Sequence, residues 1–145
     1  MVVYNTDMIE INKKKIEEIA KKHDLKLLLL FGSQASGKTH KFSDYDFGFL
    51  AEKEMSLGER ASLTDDLMHL VGSKYVEDVD LKKAGPLLLK EIVKNNKILF
   101  QADFEYENFF SYAVRTYMEA KRIFDLNELI YKNTILKYKQ KIHAQ

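Results

Sequence analysis

The sequence predicts an α/β (α+β) fold: a mixed, mostly four-stranded sheet with helices packed on it and a C-terminal helical tail. Three observations lead there. Stretches of period 3.6 and period two alternate along the chain as helix, strand, strand, helix, strand, helix, strand and then helices. Two strands follow in direct succession across a loop of about a dozen residues, so the sheet cannot be the purely parallel product of repeated βαβ units. No repeat, low-complexity run or linker divides the 145 residues, whose single proline is Pro86, and the chain reads as one domain over 1–145.

Ile9, Ile16, Ile19 and Ala20 give the first helix its apolar stripe, ahead of His23 and Asp24. Residues 26–31 read as a strand, and the unbroken apolar run within them predicts cover on both faces. In the next strand, residues 44–50, Asp44, Asp46 and Gly48 point one way and Tyr45, Phe47 and Phe49 the other. Ser56 with Glu59 spells a capping box; Leu63, Leu67, Leu70 and Val71 supply the face of the helix it opens, and Gly72 ends it. Residues 75–81 form a third strand, with Val79 and Leu81 on one face and Asp78 and Asp80 on the other. Pro86 suits a first helical turn, and Leu88, Leu89, Ile92 and Val93 carry that helix to Asn95 and Asn96. Ile98 to Phe100 make a short fourth strand, and two helices follow, over about 104–124 and about 127–141.

Composition excludes several classes. Hydrophobic residues at 46% and charged residues at 31% are ordinary for a globular domain. The segment Met1 to Lys22 has no apolar core of the kind a targeting peptide needs, and no run approaches a bilayer span, so no membrane association and a cytoplasmic location are expected. With no cysteine, any metal must be held by oxygen or imidazole, and His23, His40, His69 and His143 lack a metal-ligand spacing. A net charge of +1 argues against a direct nucleic-acid substrate, although Lys132, Lys137, Lys139 and Lys141 accumulate after the last acidic residue, Glu128.

Residues 31–50, FGSQASGKTHKFSDYDFGFL, carry two overlapping spellings. Gly32 to Thr39 match G-x-x-x-x-G-K-T, the phosphate-binding P-loop. A P-loop continues into a helix whose N-terminus holds the phosphates. The residues after Thr39 have period two instead, which argues against it. The second spelling is Gly32-Ser33, ten residues, then Asp44-x-Asp46. Two carboxylates two apart on a strand share a face with Cα atoms about 6.5–7 Å apart, and can hold a pair of magnesium ions for an in-line displacement at phosphorus. Gly48 continues that face without a side chain, which would leave room beside the metals. Gly32 allows backbone to approach phosphate, and Ser33 can cap a short helical turn whose N–H groups, with its hydroxyl, bind the outer phosphates of ATP. Lys38 and Lys41 sit in the loop between, where lysines are usually only solubilising. A third carboxylate usually completes such a site. The strand YVEDVDL offers Glu77, Asp78 and Asp80; alternation favours Asp80 as catalytic residue and metal ligand, with Asp78 as the alternative.

Gly32-Ser33, the spacer containing Gly37, and Ser43-Asp44-Tyr45-Asp46, together with residues 79–100, resemble the minimal nucleotidyltransferases of the DNA polymerase β-like superfamily. The resemblance covers about residues 10–105, leaving a helical tail over about 104–141. It implies that family's sheet, Mg2+ and ATP at the site, and a hydroxyl acceptor. It is nearest to the MntA-type antitoxins of toxin–antitoxin systems, which transfer AMP from ATP to a tyrosine of a HEPN-type (HepT-like) RNase toxin. Alternatives are a small-molecule, aminoglycoside-like nucleotidyltransferase and a non-catalytic antitoxin that only binds its toxin.

One catalytic sheet leaves little room for a small-molecule pocket, so the acceptor is expected on a partner or at a homo-oligomer interface. The tail holds nine of the chain's seventeen aromatic residues, and Tyr106, Phe110, Ala113 and Tyr117 fall at helical spacing on what is expected to be a core face. That many large side chains exceed what one small core buries, and the tail is expected to contribute to a protein interface.

Overall fold

The computed structural model describes residues 12–37 and 44–144. Helix α1 (Lys13–Lys22) is followed by strand β1 (Leu25–Phe31), the single turn α2 (Ser33–Ser36), β2 (Tyr45–Ala51), α3 (Leu57–Val71), β3 (Val76–Asp80), α4 (Pro86–Lys94), β4 (Asn96–Gln101) and α5 (Glu105–His143). The sheet order is β3-β2-β1-β4. β1 runs antiparallel to both β2 and β4, while β2 and β3 are parallel, joined by the α3 crossover.

The apolar run of β1 is covered on both sides. Leu28 and Leu30 pack with Ile16, Leu63, Leu67, Phe47 and Phe49 on the face of α1 and α3. Leu27, Leu29 and Phe31 pack with Leu81, Leu89, Ile92, Phe109 and Ala113 on the face of α4 and α5. Burying large side chains contributes about 1.5–3 kcal/mol each, so this central strand is the main organiser of the sheet.

Local signals act where the sequence puts them. Asn12 caps α1 by accepting from the Lys14 N–H at 2.9 Å, and Ile9 lies outside the described residues. The Ser56–Glu59 box closes reciprocally, with Glu59 N–H to Ser56 Oγ at 3.2 Å and Ser56 N–H to Glu59 Oε2 at 2.8 Å. Gly72 ends α3 in the left-handed conformation, and Pro86 is the first residue of α4.

The tail differs from expectation. It is one continuous 39-residue helix, not two. Nothing between residues 124 and 127 is a helix breaker, and the ion pairs Lys121–Asp125 and Glu128–Lys132, both 2.8 Å and each one turn long, flank the expected break. The face it buries is also offset, because Phe109 and Ala113 are buried and Tyr106 is half-buried, while Phe110 is 44% exposed.

Asp78 is held by two residues of α3. Its Oδ2 accepts from Arg60 Nε at 2.9 Å, its Oδ1 from Thr64 Oγ1 at 2.7 Å, and its backbone carbonyl from a second Arg60 nitrogen at 2.9 Å. The Arg60 guanidinium also lies 4.9 Å over the Phe49 ring. Asp78→Ala is expected to lower stability by about 1–3 kcal/mol, since it strands Arg60 and Thr64 against the sheet. Urea unfolding of the two proteins measures the difference.

Candidate active site

β1 ends beside the start of β2, and the site forms there. After Phe31 the chain turns at Gly32, whose backbone adopts φ 71° and ψ −151°. A Cβ at this position would overlap Oδ2 of Asp46, so a glycine is needed both for the conformation and for the approach of that carboxylate. Gly32 is itself the N-cap of α2: its carbonyl accepts from the N–H groups of Ala35 and Ser36, each at 3.2 Å. Ser33, expected as the cap, is instead the first helical residue. Gly37 closes the turn with φ 74°. Lys38, Thr39, Lys41 and Ser43 lie outside the described residues. Residues 45–51 are strand, where a P-loop would continue as helix.

Residues paired directly across a sheet project from the same face. Phe31 pairs with Asp46, and Asp46 with Glu77, so one row crosses the sheet from β1 through β2 to β3. Asp46 and Glu77 therefore share a face. Asp44 lies immediately before β2 and is exposed. Burial is the main cause that raises the Asp46 carboxyl above its ordinary range, followed by the charges of Glu77 and then Asp44.

This register sets the expected third carboxylates, Asp80 and Asp78, on the face opposite Asp46. Asp78 and Asp80 pair with Phe47 and Phe49, which point into the core beneath α1 and α3, away from Asp46. Asp78 is bound to Arg60 and Thr64, and Asp80 accepts from the Lys82 N–H at 3.0 Å beside a cavity of about 160 Å³ at the far end of β2. Glu77 is the acidic residue of β3 on Asp46's side. The alternation of Val79 and Leu81 was legible, but it does not make the other face the site. On both strands the site face is polar at its first positions and apolar further in, as Asp46, Gly48, Leu50 and Glu77, Val79, Leu81 run in parallel; that likeness is the sequence signal for Glu77. Gly48 also departs from expectation, because the Leu81 side chain fills the space above it: a Cβ there would stand 2.8 Å from Leu81 Cδ2. Asp44 is exposed and Asp46 half-buried, whereas Gly48 is covered.

Among the described residues no three His, Cys, Asp or Glu side chains stand together as a ready metal site. Asp44, Asp46 and Glu77 nevertheless fit magnesium in kind: they are oxygen donors whose charges oppose one another at Asp46, and a hard divalent cation would offset that repulsion once the side chains rotate together. Of the histidines, His23 is structural, with Nε2 2.7 Å from Asp66 Oδ2, tying the end of α1 to α3.

The profile of the family described as Polymerase beta, Nucleotidyltransferase matches residues 14–105, which ends where α5 begins. The protein adenylyltransferase MntA of Shewanella oneidensis is 32% identical over 111 residues, covering 75% of this chain and 77% of that one. Among solved structures, a toxin–antitoxin crystal structure with AMP-PNP superposes with a TM-score of 0.66 at 28% identity, covering 82% of this chain and 98% of the other. A complex of tri-AMPylated Shewanella oneidensis HEPN toxin with MNT antitoxin gives a TM-score of 0.61 at 25% identity, covering 83% and 98%.

A raised carboxyl pKa favours the folded state only while the group is protonated, so its contribution is lost as pH rises through the folded value. Without divalent cations, Asp46→Asn is therefore expected to melt above wild type at neutral pH. The gap should close as pH falls through the range in which Asp46 takes up its proton. Thermal melts in chelator, taken from neutral to acid pH, check both the sign and the trend.

Proposed function

The chain belongs to the polymerase β nucleotidyltransferase family, and from that premise we propose that it transfers AMP from ATP to a tyrosine of a partner HEPN-type toxin, acting as the toxin's antitoxin. The observation that carries the chemistry is the row across the sheet end: Gly32 and Ser33 after β1, Asp46 on β2, Glu77 on β3. The acceptor and partner rest on the similar proteins, an adenylyltransferase and an antitoxin bound to AMPylated HEPN toxin.

In this reading Gly32 and Ser33 hold the β and γ phosphates through backbone N–H groups and the serine hydroxyl. Asp44 and Asp46 hold magnesium, with Glu77 as third carboxylate in place of Asp80 or Asp78; the metal supplies charge neutralisation at the triphosphate. The acceptor oxygen forms a bond to the α-phosphorus as the bond from that phosphorus to the β-phosphate oxygen breaks. The acceptor's proton passes to the Glu77 carboxylate, and pyrophosphate leaves on the Ser33 side. The remaining work is positioning, which the rigid sheet end performs.

The second half of α5 is assigned to holding the toxin. Phe124, Tyr131 and Tyr138 are spaced seven apart on one side, Leu129 and Leu136 lie about 120–140° round the helix, and Ile130 about 120° the other way. All six are exposed. The apolar residues thus spread round most of the helix, interrupted by the charged sector of Asp125, Glu128, Lys132 and Lys139, and so broad a surface needs cover on more than one side. Pairing with a second copy along one face would leave the other sides bare, which favours a multi-helix partner, and the similar solved structures include a HEPN toxin complex.

With labelled ATP, magnesium and purified toxin, wild type is expected to label the toxin, and Asp44→Asn and Asp46→Asn to do so at least about 100-fold more slowly. Equal labelling by all three would end the nucleotidyltransferase reading. Tyr131→Glu with Leu136→Glu is expected to leave the melting temperature unchanged and to weaken toxin binding by at least about tenfold in calorimetry. A wild-type homodimer that these changes dissolve, with toxin affinity intact, would assign the helix to self-association instead.

A further inference from the structure

Tyr75 stands at the start of β3 with its backbone fixed and its ring in solvent. Its carbonyl accepts from the Tyr45 N–H at 2.8 Å, and its own N–H donates to Ser73 Oγ at 3.1 Å. The side chain, one residue before β3, is 43% exposed, with Lys74 Nζ 5.5 Å from the ring centroid. Tyr45 pairs with Val76 and Asp46 with Glu77, so the same register carried one residue back sets Tyr75 beside Asp44. Val76 lies in the core under α1 and α3, and alternation therefore turns Tyr75 to the other face, the one bearing Asp46 and Glu77.

The direction of the reaction gives this position a meaning. Displacement at phosphorus is in line, with attacking and leaving oxygens on opposite sides. Ser33 follows β1 and Glu77 lies on β3, with β2 between them. A triphosphate tail on Gly32 and Ser33 points the leaving group toward β1, so the attacking hydroxyl arrives over β3. β3 is an edge strand of the sheet, on that side. Among the described residues, Tyr75 is an exposed ring on that approach.

Resting on the nucleotidyl-transfer reading, we propose that Tyr75 is an acceptor-recognition residue, whose ring packs against the incoming tyrosine of the protein acceptor and aligns its hydroxyl with Glu77. An aromatic ring is suited to this, since paired rings prefer offset or edge-to-face contact and so limit the angle of approach. The contact is made by the ring, and the Tyr75 hydroxyl is not needed.

Steady-state AMP transfer to purified, unmodified HEPN toxin tests the assignment, with KM measured separately for toxin and for ATP. Tyr75→Ala is expected to raise the toxin KM roughly three- to tenfold and leave the ATP KM unchanged, while Tyr75→Phe stays near wild type. A toxin KM unchanged in Tyr75→Ala overturns the proposal. So does a rise confined to the ATP KM, which would place the ring against the nucleotide. A loss shared by Tyr75→Phe overturns it too, because the hydroxyl would then be the working group. Failure of wild type to transfer AMP at all would remove the nucleotidyl-transfer reading itself, a result distinct from any of these.

Discussion

Asp46 and the backbone of Gly32 must lie against one another, and much of the structure follows from that contact. A half-buried carboxylate can sit so close to β1 only because residue 32 has no Cβ and can adopt a positive φ. The contact sets where β1 ends and where the α2 turn begins. It also brings the N–H groups of that turn to the same end of the sheet as the acidic residues. The pairing of Phe31 with Asp46 and of Asp46 with Glu77 then repeats the level on each neighbouring strand. The price in electrostatics is visible at Asp46, where burial and two neighbouring charges oppose ionisation. A cation held there would relieve that repulsion.

The acidic residues of β3 divide by parity between two kinds of work. Asp78 faces α3 and spends its carboxylate on Arg60 and Thr64, joining the crossover helix to the edge strand that it leads into. Glu77, one residue earlier, faces the opposite side and adds its charge to Asp46. Neighbours in sequence thus separate into a carboxylate bound to α3 and one on the side of Asp46. The first also steadies the strand that carries the second.

The polymerase β profile ends at residue 105, and α5 continues for almost the rest of the chain. Its first turns complete the core through Phe109 and Ala113, but from Met118 onward its large apolar side chains are exposed. The domain therefore has a compact catalytic part and a long projecting arm. The i,i+4 ion pairs keep the arm helical where it has no sheet to lean on. Under the proposed reading, the exposed arm and the edge strand β3 are the surfaces on which a protein acceptor would be met.

The sequence by itself determined the elements with strong periodicity or unambiguous punctuation. The buried run of β1, the alternation of β2, the Ser56–Glu59 box, the Gly72 stop and Pro86 all act locally, so they are legible from neighbours a few residues away. The pairing of Gly32 and Ser33 with Asp44 and Asp46 was legible for the same reason, since a fixed spacing joins a strand end to the strand that folds back beside it. Continuity of α5 through Asp125 and Asn127 was not, because side-chain propensities there are weak and ion pairs on both sides decide the matter. The third carboxylate was not legible either. Alternation within β3 ranks Glu77, Asp78 and Asp80 into two faces but does not say which face meets Asp46. That is set by the parallel register of β3 on β2, a long-range pairing, and a shift of one residue would have exchanged the faces. Only the tertiary structure fixes that register, through the α3 crossover and the two-sided packing of the sheet.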